Sequence, residues 1–249
     1  MSNGLRVAVL ASGDRASGGG GSTAEKVIRD TLEDRVDFSI PVVVCNNPPG
    51  TVGVYPKVEA LNEEFGLRGD SKIDVVHIGP QNYPDGKLPR GQTLSESAAI
   101  VRLLEQRGIT FVSMLGYMRI LNGELIQEWG WQPEYAMEPL GGIYHPRARI
   151  INNHPGRLPL TADTHGHGTH ALSKELYDAG MIHYTAMSWH LGAAAVDAGP
   201  LIAEHAVEIL PHYTVDDISD AVQAAEKQRT APVIDAHLLL RQQHLGLAT

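Results

Sequence analysis

The chain has 249 residues, 43% of them apolar, so it can form one large α/β domain or two small ones with a sizeable core. Its net charge of −9 and its lack of any Lys/Arg block argue against a general nucleic-acid binder. No apolar run is long enough to span a membrane, and a lone cysteine, Cys45, excludes an internal disulfide and favours a reducing, cytoplasmic setting without a cleavable signal.

The first part of the chain alternates between strand and helix patterns. The pattern predicts strands at 5–11, 38–45 and 73–78, and helices at 24–32 and 55–65. A glycine-rich loop at 17–23 joins the first strand to the first helix, whose N-cap is predicted to be Ser22 or Thr23. Cys45 ends the second strand and is interpreted as an inert packing residue.

The alternation continues to the end of the chain. The predicted elements are a helix at 94–107, a strand at 109–115, an irregular excursion at 130–149, a strand at 149–152, a helix at 171–179, strands at 184–191 and 201–209, and a last helix capped by Thr214. Strands that alternate with helices indicate a doubly wound sheet. We therefore expect a single domain over 1–249, a three-layer α/β/α fold with a mainly parallel, Rossmann-like sheet.

The strongest motif is Asn152-Asn153-His154-Pro155, which lies where a predicted strand ends. In an open parallel sheet, ligands bind beyond the carboxyl ends of the strands. Side chains two residues apart lie on one face of an extended segment, so Asn152 and His154 offer an amide and an imidazole to one small carbonyl. The competing interpretation is a pair of polar residues that cap a turn.

A second motif is His190-Leu191, followed by Asp197-Ala198-Gly199-Pro200. An Asp followed by Gly-Pro between two apolar segments is usually only a turn. Its combination with the first motif favours a functional site instead.

Together these motifs resemble the folate-dependent formyltransferases of the glycinamide ribonucleotide transformylase type. That family carries Asn-x-His-Pro, then a His, and seven residues later Asp-x-Gly-Pro. The segment 116–121, Gly-Tyr-Met-Arg-Ile-Leu, is similar to the family's segment that lines the pteridine pocket. The segment 21–23, Gly-Ser-Thr, resembles the family's Gly-Ser-Asn that binds the ribonucleotide phosphate. The similarity extends from about residue 5 to about residue 235.

The resemblance implies transfer of a formyl group from 10-formyltetrahydrofolate to the amine of a phosphorylated acceptor, with glycinamide ribonucleotide in purine synthesis as the first candidate. Asn152 and a protonated His154 are expected to stabilise the oxyanion, while Asp197 orients His154 or a water and assists proton transfer. The residues implied for folate are Met118, Arg119, Ile120, Leu121 and His190, and those for the acceptor phosphate are Gly21, Ser22 and Thr23.

The resemblance also implies how the ligands divide the chain. We expect the half before about residue 110 to bind the acceptor and the remainder, 111–249, to hold the folate and the catalytic residues. The expected partners are small molecules, without nucleic acid, membrane or metal, and the expected assembly is a monomer or a homodimer.

The chain departs from the family pattern at its phosphate-binding end. Residues 14–20 lengthen the first loop, and Thr23 replaces the family's Asn. Asn153 stands where an apolar residue is usual, and Gly156-Arg157 replaces Ser-Leu. An alternative acceptor, such as an amino-sugar nucleotide, therefore stays open.

The alternative from another class is a non-catalytic ligand- or metal-binding protein on the same fold. His165, His167 and His170 have the spacing H-x-H-x-x-H, which can hold a metal. No carboxylate or thiol accompanies them in the usual places, so a metal site is not predicted. The loop at 17–23 matches neither the dinucleotide nor the P-loop pattern.

Overall fold

The computed structural model describes residues 4–13, 21–51, 53–85, 91–138 and 142–247. Seven strands form one sheet: β1 Arg6–Ala11, β2 Ser39–Cys45, β3 Asp74–His77, β4 Phe111–Met114, β5 Ile150–His154, β6 Tyr184–Leu191 and β7 Leu201–Glu208. Six helices accompany them: α1 Ser22–Leu32, α2 Val54–Glu64, α3 Leu94–Gln106, α4 Gly123–Trp129, α5 His167–Asp178 and α6 Val215–His244.

The sheet has the order β3-β2-β1-β4-β5-β6-β7, and the strands from β3 to β5 are parallel. The strand β6 runs antiparallel to β5, and β7 runs antiparallel to β6. The carboxyl ends of β1, β2, β4 and β5 therefore meet at one edge. The loop after β6 starts beside the first residue of β5, where Gly192 N donates to the Ile150 carbonyl oxygen. The prediction of a mainly parallel sheet is confirmed.

Helices cover both faces of the sheet. Alternate residues of β1 point to opposite sides, with Val7 and Val9 in one buried cluster and Ala8 and Leu10 in another. The first cluster packs against α1, α2 and α6, and the second against α3 and α4. This arrangement confirms the predicted three-layer α/β/α fold. Among the described residues, no helix is long and apolar enough to cross a membrane.

Several element boundaries differ from the predictions. The N-cap of α1 is Gly21 rather than Ser22 or Thr23. Its φ is 95°, a left-handed conformation that glycine adopts without steric strain. The helix α5 begins at His167 and not at residue 171, so it includes two of the clustered histidines. The short helix α4 was not predicted. Thr214 caps α6 as predicted, through a reciprocal pair with Asp217.

The lone cysteine is fully buried at the end of β2, as its packing interpretation requires. Its Sγ lies 3.7 Å from the Ser12 carbonyl oxygen, and burial raises the pKa of the Cys45 thiol. A raised pKa keeps the thiol protonated, so it is a poor nucleophile.

The α6 residue His237 makes the fold sensitive to acid. Its side chain is 2% exposed, and neither ring nitrogen has a hydrogen-bond partner among the described residues. Burial, assisted by the nearby Arg241, lowers the pKa of His237 from 6.5 to about 4. The unfolded chain therefore takes up this proton at higher pH than the folded chain does. The part of the unfolding free energy that depends on a neutral His237 is present above pH 6.5 and is lost progressively as the pH falls toward 4.

We predict that replacing His237 by Leu reduces the loss of unfolding free energy between pH 7 and pH 5 by about 2 kcal/mol. Urea denaturation at the two pH values measures this difference. The matched control is His244→Leu, because His244 is exposed at the end of the same helix. Identical pH dependence in His237→Leu and the parent protein would contradict the interpretation.

Candidate active site

The three residues predicted to be catalytic meet at the carboxyl edge of the sheet. Asn152 and His154 lie on β5, and Asp197 lies in the loop between β6 and β7. The Asp197 carboxylate approaches both, with His154 Nδ1 3.2 Å from Oδ2 and Asn152 Nδ2 3.4 Å from Oδ1. The first motif and the second motif therefore belong to one site.

Asp197 is an ionised carboxylate in a largely buried position. Its side chain is 5% exposed, and His190 Nε2 lies 3.5 Å from Oδ1. Burial alone raises the pKa of Asp197, but its contacts with polar neighbours, the His154 ring first, outweigh burial and hold this pKa well below its ordinary value. The residue has a φ of 51°, a left-handed conformation that Asp and Asn adopt more readily than most residues.

His190 orients the Asn152 amide. The two residues are directly opposite in the β5–β6 register, and their side chains approach to 3.1 Å between Nδ2 and Nε2. His190 Nδ1 lies 3.0 Å from the Leu191 carbonyl oxygen, which can only accept, so Nδ1 carries the proton. In the neutral ring Nε2 is then an acceptor, and Asn152 donates to it. This contact holds the amide in one orientation.

The His154 ring is buried, with contacts at both nitrogens. It is 2% exposed, and its Nδ1 faces the Asp197 carboxylate, so this nitrogen carries a proton. The contact is close but not aligned as a hydrogen bond, since Asp197 Oδ2 has no aligned donor among the described residues. Nε2 lies 2.9 Å from the Thr161 hydroxyl oxygen.

A first cavity of about 390 Å³ opens on one side of this cluster. Its walls include the five residues predicted to bind folate: Met118, Arg119, Ile120, Leu121 and His190. The Arg119 guanidinium itself is engaged in the wall, since Nη2 lies 2.5 Å from both Glu96 Oε2 and the Gly91 carbonyl oxygen. Met118 and Ile120 are partly exposed, at 54% and 40%, so the cavity offers apolar surface to a ligand.

A second cavity of about 380 Å³ lies on the other side and is more polar. His154 and Asn153 lie in its wall, together with a polar face of α6 formed by Asp216, Ser219, Gln223 and Glu226. Asn153 Nδ2 lies 3.3 Å from Glu226 Oε1, and burial raises the pKa of the Glu226 carboxyl. These α6 residues belong to no motif in the sequence, although their spacing places them on one helical face.

The two cavities meet at Asn152 and Asp197. The residues that line both are Tyr117, Met118, Asn152, His165 and Asp197. A ligand in either cavity therefore reaches the same amide and carboxylate. This arrangement suits a reaction between two molecules bound in adjoining cavities.

The predicted phosphate residues Gly21, Ser22 and Thr23 all belong to the described part of the chain, at the start of α1. Thr23 lines the second cavity, whereas Gly21 and Ser22 are not among the lining residues. Residues 14–20 of the glycine-rich loop lie outside the described residues. The assignment of 21–23 to the acceptor phosphate stays a prediction.

The clustered histidines face the second cavity, and His165 faces the first as well. His170 is 3% exposed, and burial, followed by the neighbouring His167 and His154, lowers the pKa of His170 to about 4. Within the described ranges, no group of three or more His, Cys, Asp or Glu side chains is placed to hold a metal ion.

The chain is similar to known formyltransferases over nearly all of its length. It is 27% identical over 226 residues to the trifunctional purine biosynthetic protein adenosine-3 of Gallus gallus, covering 91% of this chain and 18% of that protein. It is 25% identical to the phosphoribosylglycinamide formyltransferase of Bacillus subtilis, covering 92% of each. The chain thus spans less than a fifth of the trifunctional relative. No protein-family model matches it.

Solved structures share the fold. The phosphoribosylglycinamide formyltransferase from Bacillus halodurans aligns with a TM-score of 0.67 and 23% identity, over 94% of this chain and 95% of that one. The enzyme of the same name from Brucella melitensis aligns with a TM-score of 0.65 and 24% identity, over 98% of each chain.

Gly199 fixes the loop that carries Asp197, because a Cβ there would lie 1.7 Å from the Leu191 carbonyl oxygen. We predict that Gly199→Ala lowers the free energy of unfolding by about 1–3 kcal/mol, the usual cost of overpacking. Urea denaturation measures it. The control is Gly168→Ala in α5, where the added Cβ meets nothing within 4 Å, so that substitution should be neutral or stabilising. Equal stability of the two variants would contradict the role of Gly199.

Proposed function

We propose that this chain, which belongs with the phosphoribosylglycinamide formyltransferases, transfers a formyl group from 10-formyltetrahydrofolate to the amine of a phosphorylated acceptor. Glycinamide ribonucleotide is the acceptor that we propose first. The observation that carries this proposal is the meeting of two cavities at Asn152 and Asp197. A transfer between two bound molecules needs such a shared position.

The chemical character of the cavities assigns the ligands. The first cavity presents Met118, Ile120 and Leu121, and apolar walls with a few polar groups suit the flat pteridine of a folate. The second cavity presents hydroxyl, amide and carboxylate groups, which suit a polyhydroxylated acceptor with an amine. The formyl group of the folate then lies at the junction, next to Asn152.

Asn152 and His154 would stabilise the tetrahedral intermediate. The acceptor nitrogen attacks the formyl carbon, and the carbonyl oxygen takes the negative charge. His190 holds one Nδ2 hydrogen of Asn152, and the other, which makes only a 3.4 Å contact with Asp197 Oδ1, is the donor proposed for the oxyanion. A His154 ring protonated at both nitrogens would add positive charge on the side of the second cavity.

Asp197 would assist the proton transfer that completes the reaction. The attacking nitrogen must lose a proton and N10 of the folate must gain one as the bond between the formyl carbon and N10 breaks. The Asp197 carboxylate is ionised and contacts both His154 and Asn152. It can therefore stabilise a cationic His154 or hold a water that carries the proton.

The acceptor phosphate would bind at the start of α1. The described residues that line the second cavity include no lysine or arginine, so backbone N–H groups are the proposed donors. The first turn of a helix provides such groups together with the positive end of its dipole. Thr23 in this turn lines the cavity. We also propose that the first half of the chain binds the acceptor and the second half the folate. The position of Thr23, a residue of the first half, in the wall of the second cavity supports this division.

Replacing Asp197 by Asn tests the proton-transfer role. Asn tolerates the left-handed backbone, so the fold is expected to persist, while turnover falls by about 10²–10⁴-fold. Steady-state kinetics and a fluorescence titration with folate measure turnover and binding. The matched control is Asp220→Asn, an exposed carboxylate of α6 that lines neither cavity. Unchanged turnover in Asp197→Asn would contradict the proton-transfer role and would leave Asp197 only a structural role in the turn.

A panel of acceptors tests the reaction itself. The purified protein is given 10-formyltetrahydrofolate with glycinamide ribonucleotide, with an amino-sugar nucleotide, or with water alone, and loss of the formyl group is followed. We expect the largest kcat/KM for glycinamide ribonucleotide. Faster reaction with the sugar nucleotide or with water would assign a different acceptor or a hydrolase.

A further inference from the structure

The catalytic imidazole of His154 is held on the side away from Asp197 by the Thr161 hydroxyl. His154 Nε2 lies 2.9 Å from Thr161 Oγ1, and both side chains are almost completely buried, at 2% and 1% exposure. The same hydroxyl lies 3.1 Å from the Arg157 carbonyl oxygen. Water is therefore excluded from Nε2, and Thr161 is the group that satisfies it.

The Thr161 hydroxyl has one hydrogen and two places to donate it. When His154 is neutral, with its proton on Nδ1 toward Asp197, the hydroxyl donates to Nε2. When His154 is a cation, Nε2–H donates to the hydroxyl oxygen, and the hydroxyl hydrogen turns to the Arg157 carbonyl oxygen. Rotation of one bond in Thr161 thus satisfies both protonation states without moving the ring.

We propose that Thr161 is a positioning residue for this reaction, which keeps His154 in place and supports its cationic form while the tetrahedral intermediate exists. This inference rests on the proposed function, because the charge on His154 matters only if an oxyanion forms beside it. A hydrogen bond from a charged donor stabilises more than one between neutral groups, so Thr161 favours the cation over the neutral ring.

Gly156 makes room for this contact. A Cβ at position 156 would lie 2.2 Å from Thr161 Oγ1 and 2.5 Å from Thr169 Cγ2, so any larger residue displaces the hydroxyl. The Thr161 backbone is also fixed, because the Thr164 hydroxyl donates to its carbonyl at 2.6 Å. The contact therefore depends on both residues, because Gly156 has no side chain and leaves the space that the Thr161 hydroxyl occupies.

The other titratable groups around His154 leave Nε2 to Thr161. Asp197, from the loop after β6, faces Nδ1, and His190, from β6, contacts Asp197. His170, from α5, lies near enough for mutual repulsion of charge with His154, but its lowered pKa keeps it neutral above about pH 4. Thr161 is neutral and rotatable, so it pairs with Nε2 in either charge state of His154 and more strongly with the cation.

The first test is an NMR titration of the resting protein with ¹⁵N-labelled histidine, following the His154 ring nitrogens in the parent, in Thr161→Val and in Thr161→Ser. Valine keeps the volume and removes the hydroxyl, whereas serine restores it. We expect the titration midpoint of His154 to fall by about one to two pH units in Thr161→Val and to return toward the parent value in Thr161→Ser. Equal midpoints in all three proteins would overturn the proposal.

The second test is the pH dependence of turnover in the same variants. Above the lowered midpoint, kcat of Thr161→Val should fall by about tenfold or more, with KM for the folate unchanged, and Thr161→Ser should recover it. If Thr161→Val loses turnover equally at every pH and serine gives no recovery, Thr161 is only a packing residue. If the NMR shift appears but no acceptor is formylated, the proposed function fails while the contact to His154 stands.

Discussion

The site depends on one buried carboxylate. Asp197 is removed from water at the edge of the sheet, and such a group stays ionised only where donors and positive charge compensate its burial. His154 and Asn152 provide that compensation, and His190 in turn holds the Asn152 amide in its orientation. The left-handed turn at Asp197 and the close packing behind it aim the carboxylate at β5. The groups proposed to be catalytic are therefore preorganised before any ligand binds.

The fold places this carboxylate where two ligands can meet. Parallel strands end together at one edge, which brings the ends of β1, β4 and β5 next to each other. The antiparallel β6 runs back along β5 from that edge and sets His190 opposite Asn152. Apolar residues after β4 form one cavity, and polar residues of α6 form the other. The change from parallel to antiparallel pairing thus supplies the second half of the site.

Local patterns predicted the parts of the molecule that local rules control. The two-residue spacing of Asn152 and His154 and the capping box at Thr214 need only strand and helix geometry. The pairing of those motifs with Asp197 came from resemblance, because nothing in the spacing shows that a distant loop returns to β5. The polar face of α6 has the pattern of a solvated surface, so periodicity alone could not distinguish it from a ligand site. The contact of Thr161 with His154 depends on an irregular loop, whose path no periodicity encodes.

The most direct measurement of the central claim is a crystal structure with a folate analogue whose formyl group cannot transfer, together with glycinamide ribonucleotide. The account predicts the folate in the first cavity and the ribonucleotide in the second, with the acceptor nitrogen about 3–3.5 Å from the formyl carbon. The formyl oxygen should lie within hydrogen-bond reach of Asn152 Nδ2. Ligands whose reactive groups lie far apart, or away from Asp197, would contradict it.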